Sequence, residues 1–157
     1  MLIETRGALG GPNKIWVHNP KLAKVMGPLG AYFRTGYSLS ERERETVIIT
    51  NSKWHSIYPT NAHERAGKAA GLPPDKIEAL LSGLPASFED TREQVVYELA
   101  MCLSQSRWVS KGLYERAVEA LGHVGITDVI CLMGFYTSVS MTLACYDVPP
   151  GATGMAR

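Results

Sequence analysis

Between Leu39 and Leu72 the chain reads LSERERETVIITNSKWHSIYPTNAHERAGKAAGL, and this stretch admits few folds. Ser40 and Glu43 stand three apart. At that spacing a serine hydroxyl accepts from the backbone N–H of the third helical residue while the glutamate reaches back to the serine N–H. A helix therefore starts at about Glu41. Val47, Ile48 and Ile49 give it an apolar face, and Glu45, one turn earlier, lies close enough to that face to be drawn partly inside. Pro59 lacks an N–H and disfavours the α conformation at Tyr58, so the pattern predicts an end near Ser56. The same proline suits the first turn of a second helix, which runs through Ala62, Ala66, Ala69 and Ala70 and stops at Gly71. His63 shares a face of this helix with Pro59, Ala66 and Gly67, all small enough for close packing. The two helices bring Glu45, His55, Tyr58 and His63 toward one another.

The remaining pattern is helical throughout. Residues 1–18, with Gly7 and Gly10-Gly11-Pro12, form an irregular N-terminal arm. Asn19-Pro20 enters a helix carrying Leu22, Val25, Met26, Leu29, Tyr32 and Phe33, which Pro28 should kink or divide. Pro74-Asp75 opens a short helix closed by Gly83. Thr91 and Gln94 have capping-box spacing ahead of Val95, Val96, Leu99 and Leu103. Ser110 caps a helix with Leu113, Ala117 and Leu121, and Gly122 stops it. Thr127-Asp128 is expected to cap the last helix, Val129 to Tyr146, which has no formal charge. That segment is long enough to approach a bilayer span. Thr137, Ser138, Ser140 and Thr142 and the lack of a basic flank fit the centre of a bundle or a subunit interface better. A loose tail follows from Pro149. The expected fold class is all-α, as one compact domain over residues 1–157 that acts as a subunit of a homo-oligomer.

Composition narrows the function. With 45% hydrophobic and 20% charged residues and a net charge of +1, the chain has the profile of a soluble globular protein, without the basic surplus that nucleic acid or an anionic membrane demands. Cys102, Cys131 and Cys145 lack C-x-x-C spacing and read as reduced core residues. The first residues lack the apolar run of an export signal, so a cytoplasmic location is expected. His55, His63 and Glu64 do not make an H-x-x-x-H or H-E-x-x-H pattern, and no metal is expected.

Leu39-Ser40, Arg42, Arg44-Glu45, Val47-Ile48, Ala62-His63 and Ala70-Gly71-Leu72, in that order and spacing, resemble the carboxymuconolactone decarboxylase family, which includes the alkylhydroperoxidase D-like proteins. Similarity extends over about residues 18 to 150, through the V-S-x-G-L-Y-E-R-A segment and the apolar last helix. The resemblance implies helical subunits assembled as trimers or hexamers. In the peroxidase branch a C-x-x-C pair precedes the histidine, whereas Ser56 and Pro59 stand there in this chain. A peroxide-reducing dithiol is thus missing. The decarboxylase branch, a cofactor-independent lyase of aromatic-compound catabolism, is the better match. Tyr58-Pro59-Thr60-Asn61 departs from the acidic and aromatic cluster usual at that point.

Loss of CO2 from a carboxylated lactone leaves an electron pair that delocalises onto the lactone oxygen, so neither metal nor pyridoxal is required. The reaction needs a donor at that oxygen, a grip on a remaining carboxylate and an acid to protonate carbon. His63 is the expected proton donor, with Glu45 orienting it. The competing reading is an ordinary buried Glu–His hydrogen bond between helices. His55, Tyr58 and Asn61, near the helix junction, are the expected substrate contacts, although Tyr58 could equally cover the junction. Arg42, with Arg44 beside it, either holds a substrate carboxylate bidentately or belongs to a solvated face of alternating charge. Trp54 reads as core, and Trp108, Tyr136 and Met141 as core or pocket wall. A peroxidase-like protein and a non-catalytic oligomeric binder are the alternatives.

Overall fold

The computed structural model describes residues 11–54, 57–105 and 108–148, without the side chains of 57–61. Among the described residues there are seven helices and no strand, the all-α class expected. They are α1 (Asn13–Trp16), α2 (Pro20–Thr35), α3 (Glu41–Ser52), α4 (Ile57–Ala69), α5 (Pro74–Ser82), α6 (Thr91–Gln105) and α7 (Lys111–Cys145), the last broken at Gly122.

α3 is the axis of the fold, packed against α4, α5, α6 and α7. Its first turn forms as the sequence dictates. The Ser40 N–H donates to Glu43 Oε2 at 2.7 Å, and the Glu43 N–H donates to Ser40 Oγ at 3.1 Å. From Thr46 to Ser52 every residue is buried. Val47 and Ile48 pack with Val95, Val96, Leu99, Val129 and Leu132, whereas Ile49 turns to Leu72, Ile77, Leu80 and Phe88. Each fully buried aliphatic side chain contributes roughly 1.5–3 kcal/mol.

The two central helices meet differently from the expectation. α3 ends at Ser52 rather than near Ser56, because the chain tightens there: the Lys53 N–H bonds Ile49 O at 3.2 Å and the Trp54 N–H bonds Asn51 O at 3.3 Å. α4 begins at Ile57, two residues ahead of Pro59. Pro59 thus sits within the first turn, where a backbone N–H has no intrahelical partner to lose. At the far end Gly71 adopts φ +84°, and the Leu72 N–H returns to Gly67 O at 2.9 Å. Leu72 then packs on Gly67, where a Cβ would lie 3.2 Å from Leu72 Cδ1.

Other ends are corrected by the structure. α2 is not divided at Pro28, and the residue before it is Gly27, which has no Cβ to clash with a proline ring. α6 starts at Thr91, but its cap is Asp90, whose Oδ1 accepts from the Glu93 N–H at 2.9 Å. Gln94 Oε1 accepts instead from the Phe88 N–H, at 2.7 Å, and holds the preceding loop. Gly122 breaks α7 with φ +64° and ψ 175°, but the helix resumes at once. Thr127 therefore lies inside it, donating to His123 O at 2.8 Å. Asp128 caps nothing. It accepts from Tyr32 Oη (2.7 Å), the Ser38 N–H (2.8 Å) and Ser38 Oγ (2.7 Å), tying the end of α2 to α7. Burial pushes its carboxyl pKa up, and these hydrogen bonds outweigh that and hold it below the usual range.

Several expected core residues lie outside the core. Trp54, Trp108 and Met141 are exposed, as are the free thiols of Cys131 and Cys145, while Cys102 is half-buried. Conversely, the N-terminal arm is not irregular throughout: α1 buries Asn13 and Trp16, the latter against Phe135. The tail from Pro149 lies outside the described residues. By length and composition α7 is long and apolar enough to cross a membrane, and 33% of that apolar window is buried within the chain.

Candidate active site

Glu45 is fully buried, and each of its oxygens is engaged. Oε2 lies 2.6 Å from His63 Nδ1, and Oε1 accepts from Arg44 Nε at 2.8 Å with Arg44 Nη2 at 2.7 Å. α3 supplies the arginine and the glutamate from consecutive positions, and α4 supplies the histidine from eighteen positions further on. A glutamate held by a guanidinium on one oxygen accepts through the other, so Nδ1 carries hydrogen and Nε2 is the nitrogen left for a ligand. Burial works against the charge on Arg44, and the coulombic pull and hydrogen bonding of Glu45 outweigh it, keeping the guanidinium above its ordinary pKa. Its Cζ also stands 5.9 Å from the centre of the Tyr37 ring.

His63 forms part of the wall of a cavity of about 350 Å³. Its ring meets Tyr136 edge to face, 4.9 Å between centroids at 88°. Tyr136 meets Phe135 in the same manner, and Phe135 meets Trp16. Rings inclined in this way hold one another rigid. α2 contributes Met26, Gly27, Gly30 and Arg34 to the cavity, and a Cβ on Gly30 would come within 3.1 Å of Phe135 Cζ.

The expected site is thus assembled in part. Glu45 and His63 are in contact. His55 lies outside the described residues, and so do the side chains of Tyr58 and Asn61, whose backbone belongs to α4. Arg42 is not brought to the His63 cavity. Its Nε pairs with Glu93 Oε1 at 2.6 Å and its Nη1 donates to Gly71 O at 3.1 Å, because α3 turns residue 42 toward α6 and the end of α4. It lines a separate cleft of about 810 Å³ with Pro73, Lys76 and Glu93. Nor do the alternating charges make a solvated face, since Glu43 is buried too and pairs with Arg92 at 2.7 Å.

Sequence reasoning missed three contributors. Trp16 and Asn13 sat in a stretch too rich in glycine to look structured. Arg34 had a signal, its i, i+3, i+7 register with Gly27 and Gly30, which places it on the face that approaches α7. No group of three or more His, Cys, Asp or Glu among the described residues is placed to hold a metal.

The chain is thus an all-helical bundle with a buried carboxylate–imidazole pair at the wall of a cavity. The solved structure of a cysteine-to-alanine variant of the debrominase Bmp8, in complex with 2,3,4-tribromopyrrole, has the same fold: TM-score 0.76, with 96% of this chain and 82% of that one covered, at 14% identity. No protein-family model and no curated protein matches the chain.

Proposed function

We propose that this protein is a cofactor-independent enzyme of the carboxymuconolactone decarboxylase kind, a carboxy-lyase acting on a small carboxylated lactone or related oxoacid. The observation that carries the reading is the 2.6 Å contact of His63 with the buried, arginine-backed Glu45 at the wall of a largely apolar cavity. Such a histidine is oriented on one nitrogen and open on the other, the arrangement a proton donor to carbon requires. In the reaction the C–CO2 bond breaks, CO2 leaves, and the electron pair delocalises onto the lactone oxygen. A proton from His63 Nε2 then ends on carbon, and a proton from solvent replaces it, so that each turnover consumes one solvent proton. The apolar walls strengthen the interaction of the Nε2–H donor with the developing anion.

The debrominase is solved with a flat five-membered ring bound, which supports a small planar ligand for the shared scaffold. A thiol-borne reaction has less support in this chain, because none of the cavity-lining residues is a cysteine. The test is CO2 release and loss of ultraviolet absorbance with γ-carboxymuconolactone, comparing wild type with His63→Gln. Turnover in the wild type that is lost in a folded variant supports the proposal. Equal turnover in both sinks the role of His63, and none in either removes this substrate.

A further inference from the structure

We infer that the Asn13 carboxamide is the specificity contact of the His63 cavity, and that it reads a flat ring ligand through a hydrogen-bond donor standing beside an acceptor. This role rests on the reading of the cavity as a small-molecule site, and it concerns the part of the ligand that does not meet His63. Asn13 lines the cavity and is only 3% exposed. Among the described residues nothing hydrogen-bonds its carboxamide. Nor does the residue serve the helix it stands on: α1 follows Pro12 without a side-chain cap bond, and the neighbouring Ile15 and Trp16 pack with Ala23, Val139 and Leu143. An aliphatic residue at position 13 would leave no polar atoms to satisfy.

The other polar side chains of the wall have other tasks. Arg34 and Tyr136 are already engaged within the chain. His63 uses Nδ1 on Glu45 and keeps Nε2 open. Among the described residues the cavity thus offers its contents two open polar side chains, the imidazole nitrogen proposed above for proton transfer and the carboxamide.

A carboxamide carries an acceptor oxygen and a donor nitrogen side by side. In a cavity of about 350 Å³ water satisfies both until a ligand displaces it, and a ligand that replaces only one of the two bonds leaves the other atom buried and unpaired. A ring in which a carbonyl adjoins an N–H or O–H replaces both at once, through two parallel hydrogen bonds. A carboxylate or a bare lactone offers acceptors alone, which would set oxygen against Asn13 Oδ1. The edge-to-face rings of Trp16, Phe135 and Tyr136 suit the flatness of such a ligand. Among the substrates proposed above, hydroxylated or enolic oxoacids are thereby favoured over simple lactones.

The experiment is an NMR titration of the isotope-labelled full chain with 2-pyridone, whose N–H adjoins its carbonyl, and with 2-pyranone, the same ring with oxygen in place of the N–H, on wild type, Asn13→Leu and Asn13→Ala. Binding is read at the amide signals of Gly27, Gly30 and Ala62 in the cavity wall. We expect wild type to hold 2-pyridone about tenfold or more tightly than 2-pyranone. Both variants should lose that preference while binding 2-pyranone as wild type does. Leucine matches asparagine in size and alanine demands no room, and the dispersion of the amide spectrum shows whether each variant is folded. Binding of neither probe at millimolar concentration, equal binding of the two by wild type, a preference that survives in a folded variant, or loss of both probes in a folded variant would each overturn the inference. Binding is read without turnover, so a failed decarboxylase assay leaves this result standing, and probes that bind alike leave that assay untouched.

Discussion

Glu45 does two things at once, and they separate by mutation. Toward His63 it fixes one ring nitrogen, and toward Arg44 it neutralises a guanidinium that is itself mostly buried. Glu45→Gln keeps the shape but puts an amide N–H2 where one of the two donors points. We expect turnover to fall by about 10²–10⁴-fold, the range for a proton-transferring histidine that loses its orienting carboxylate, in a protein whose far-ultraviolet dichroism is unchanged. Arg44→Met acts differently, leaving the Glu45 charge in the interior with His63 alone. Removing one member of a buried pair costs about 3 kcal/mol, and thermal unfolding should show a clear drop in Tm. A variant with unchanged Tm would mean that the pair is solvated in solution. The contact of Glu45 with His63 was legible in sequence because capping signals on both sides fixed the phase of each helix. The involvement of Arg44 was not, since arginines alternating with glutamates describe a surface equally well until tertiary packing buries one side.

Helix ends show where local signals hold and where tertiary contacts override them. Ser40 and Gly71 act as their spacing predicts, since the bonds they make are local. Gly71→Ala places a Cβ in open space, so only the left-handed backbone resists it. A loss of about 1–2 kcal/mol in denaturant unfolding is expected. Asp128 looked like a cap and is instead a long-range acceptor, because its partners, Tyr32 and Ser38, are 96 and 90 residues away and invisible to a local pattern. Its pKa is lower folded than unfolded, so the folded state binds its proton less tightly. The stability it gives is present above the unfolded value of about 3.9 and is lost as pH falls through the folded one. Asp128→Asn should therefore unfold more easily at pH 7, by about 1.5–3 kcal/mol. Below about pH 4 the difference from wild type should shrink, and a gap that stays constant with pH would assign the effect to packing.

At the scale of the whole molecule, the outer side of α7 is the part the chain leaves unused. The sequence gives this helix apolar residues on all sides, and within one chain only its inner side is covered: Val129, Leu132, Met133, Val139 and Leu143 are buried, while Ile130, Gly134, Ser138 and Met141 are exposed. Those four recur at i, i+4, i+8 and i+11, which is one continuous stripe. α2 lies alongside, its Tyr32 bonded to Asp128, and adds exposed Val25. A soluble monomer rarely keeps such a strip in water. The polar Ser138 and Thr142 within the apolar window, and the lack of basic flanks, suit a protein partner better than lipid. We therefore expect the chain to associate with copies of itself through this side, and light scattering should report a multiple of 17.2 kDa at micromolar concentration. Ile130→Lys and Met141→Lys together should shift the mass toward one chain, since each places a charge on the strip without touching the His63 cavity. A wild type that runs as a single chain without detergent would leave the strip without this role, and one that needs detergent to stay in solution would return α7 to the bilayer that its length allows.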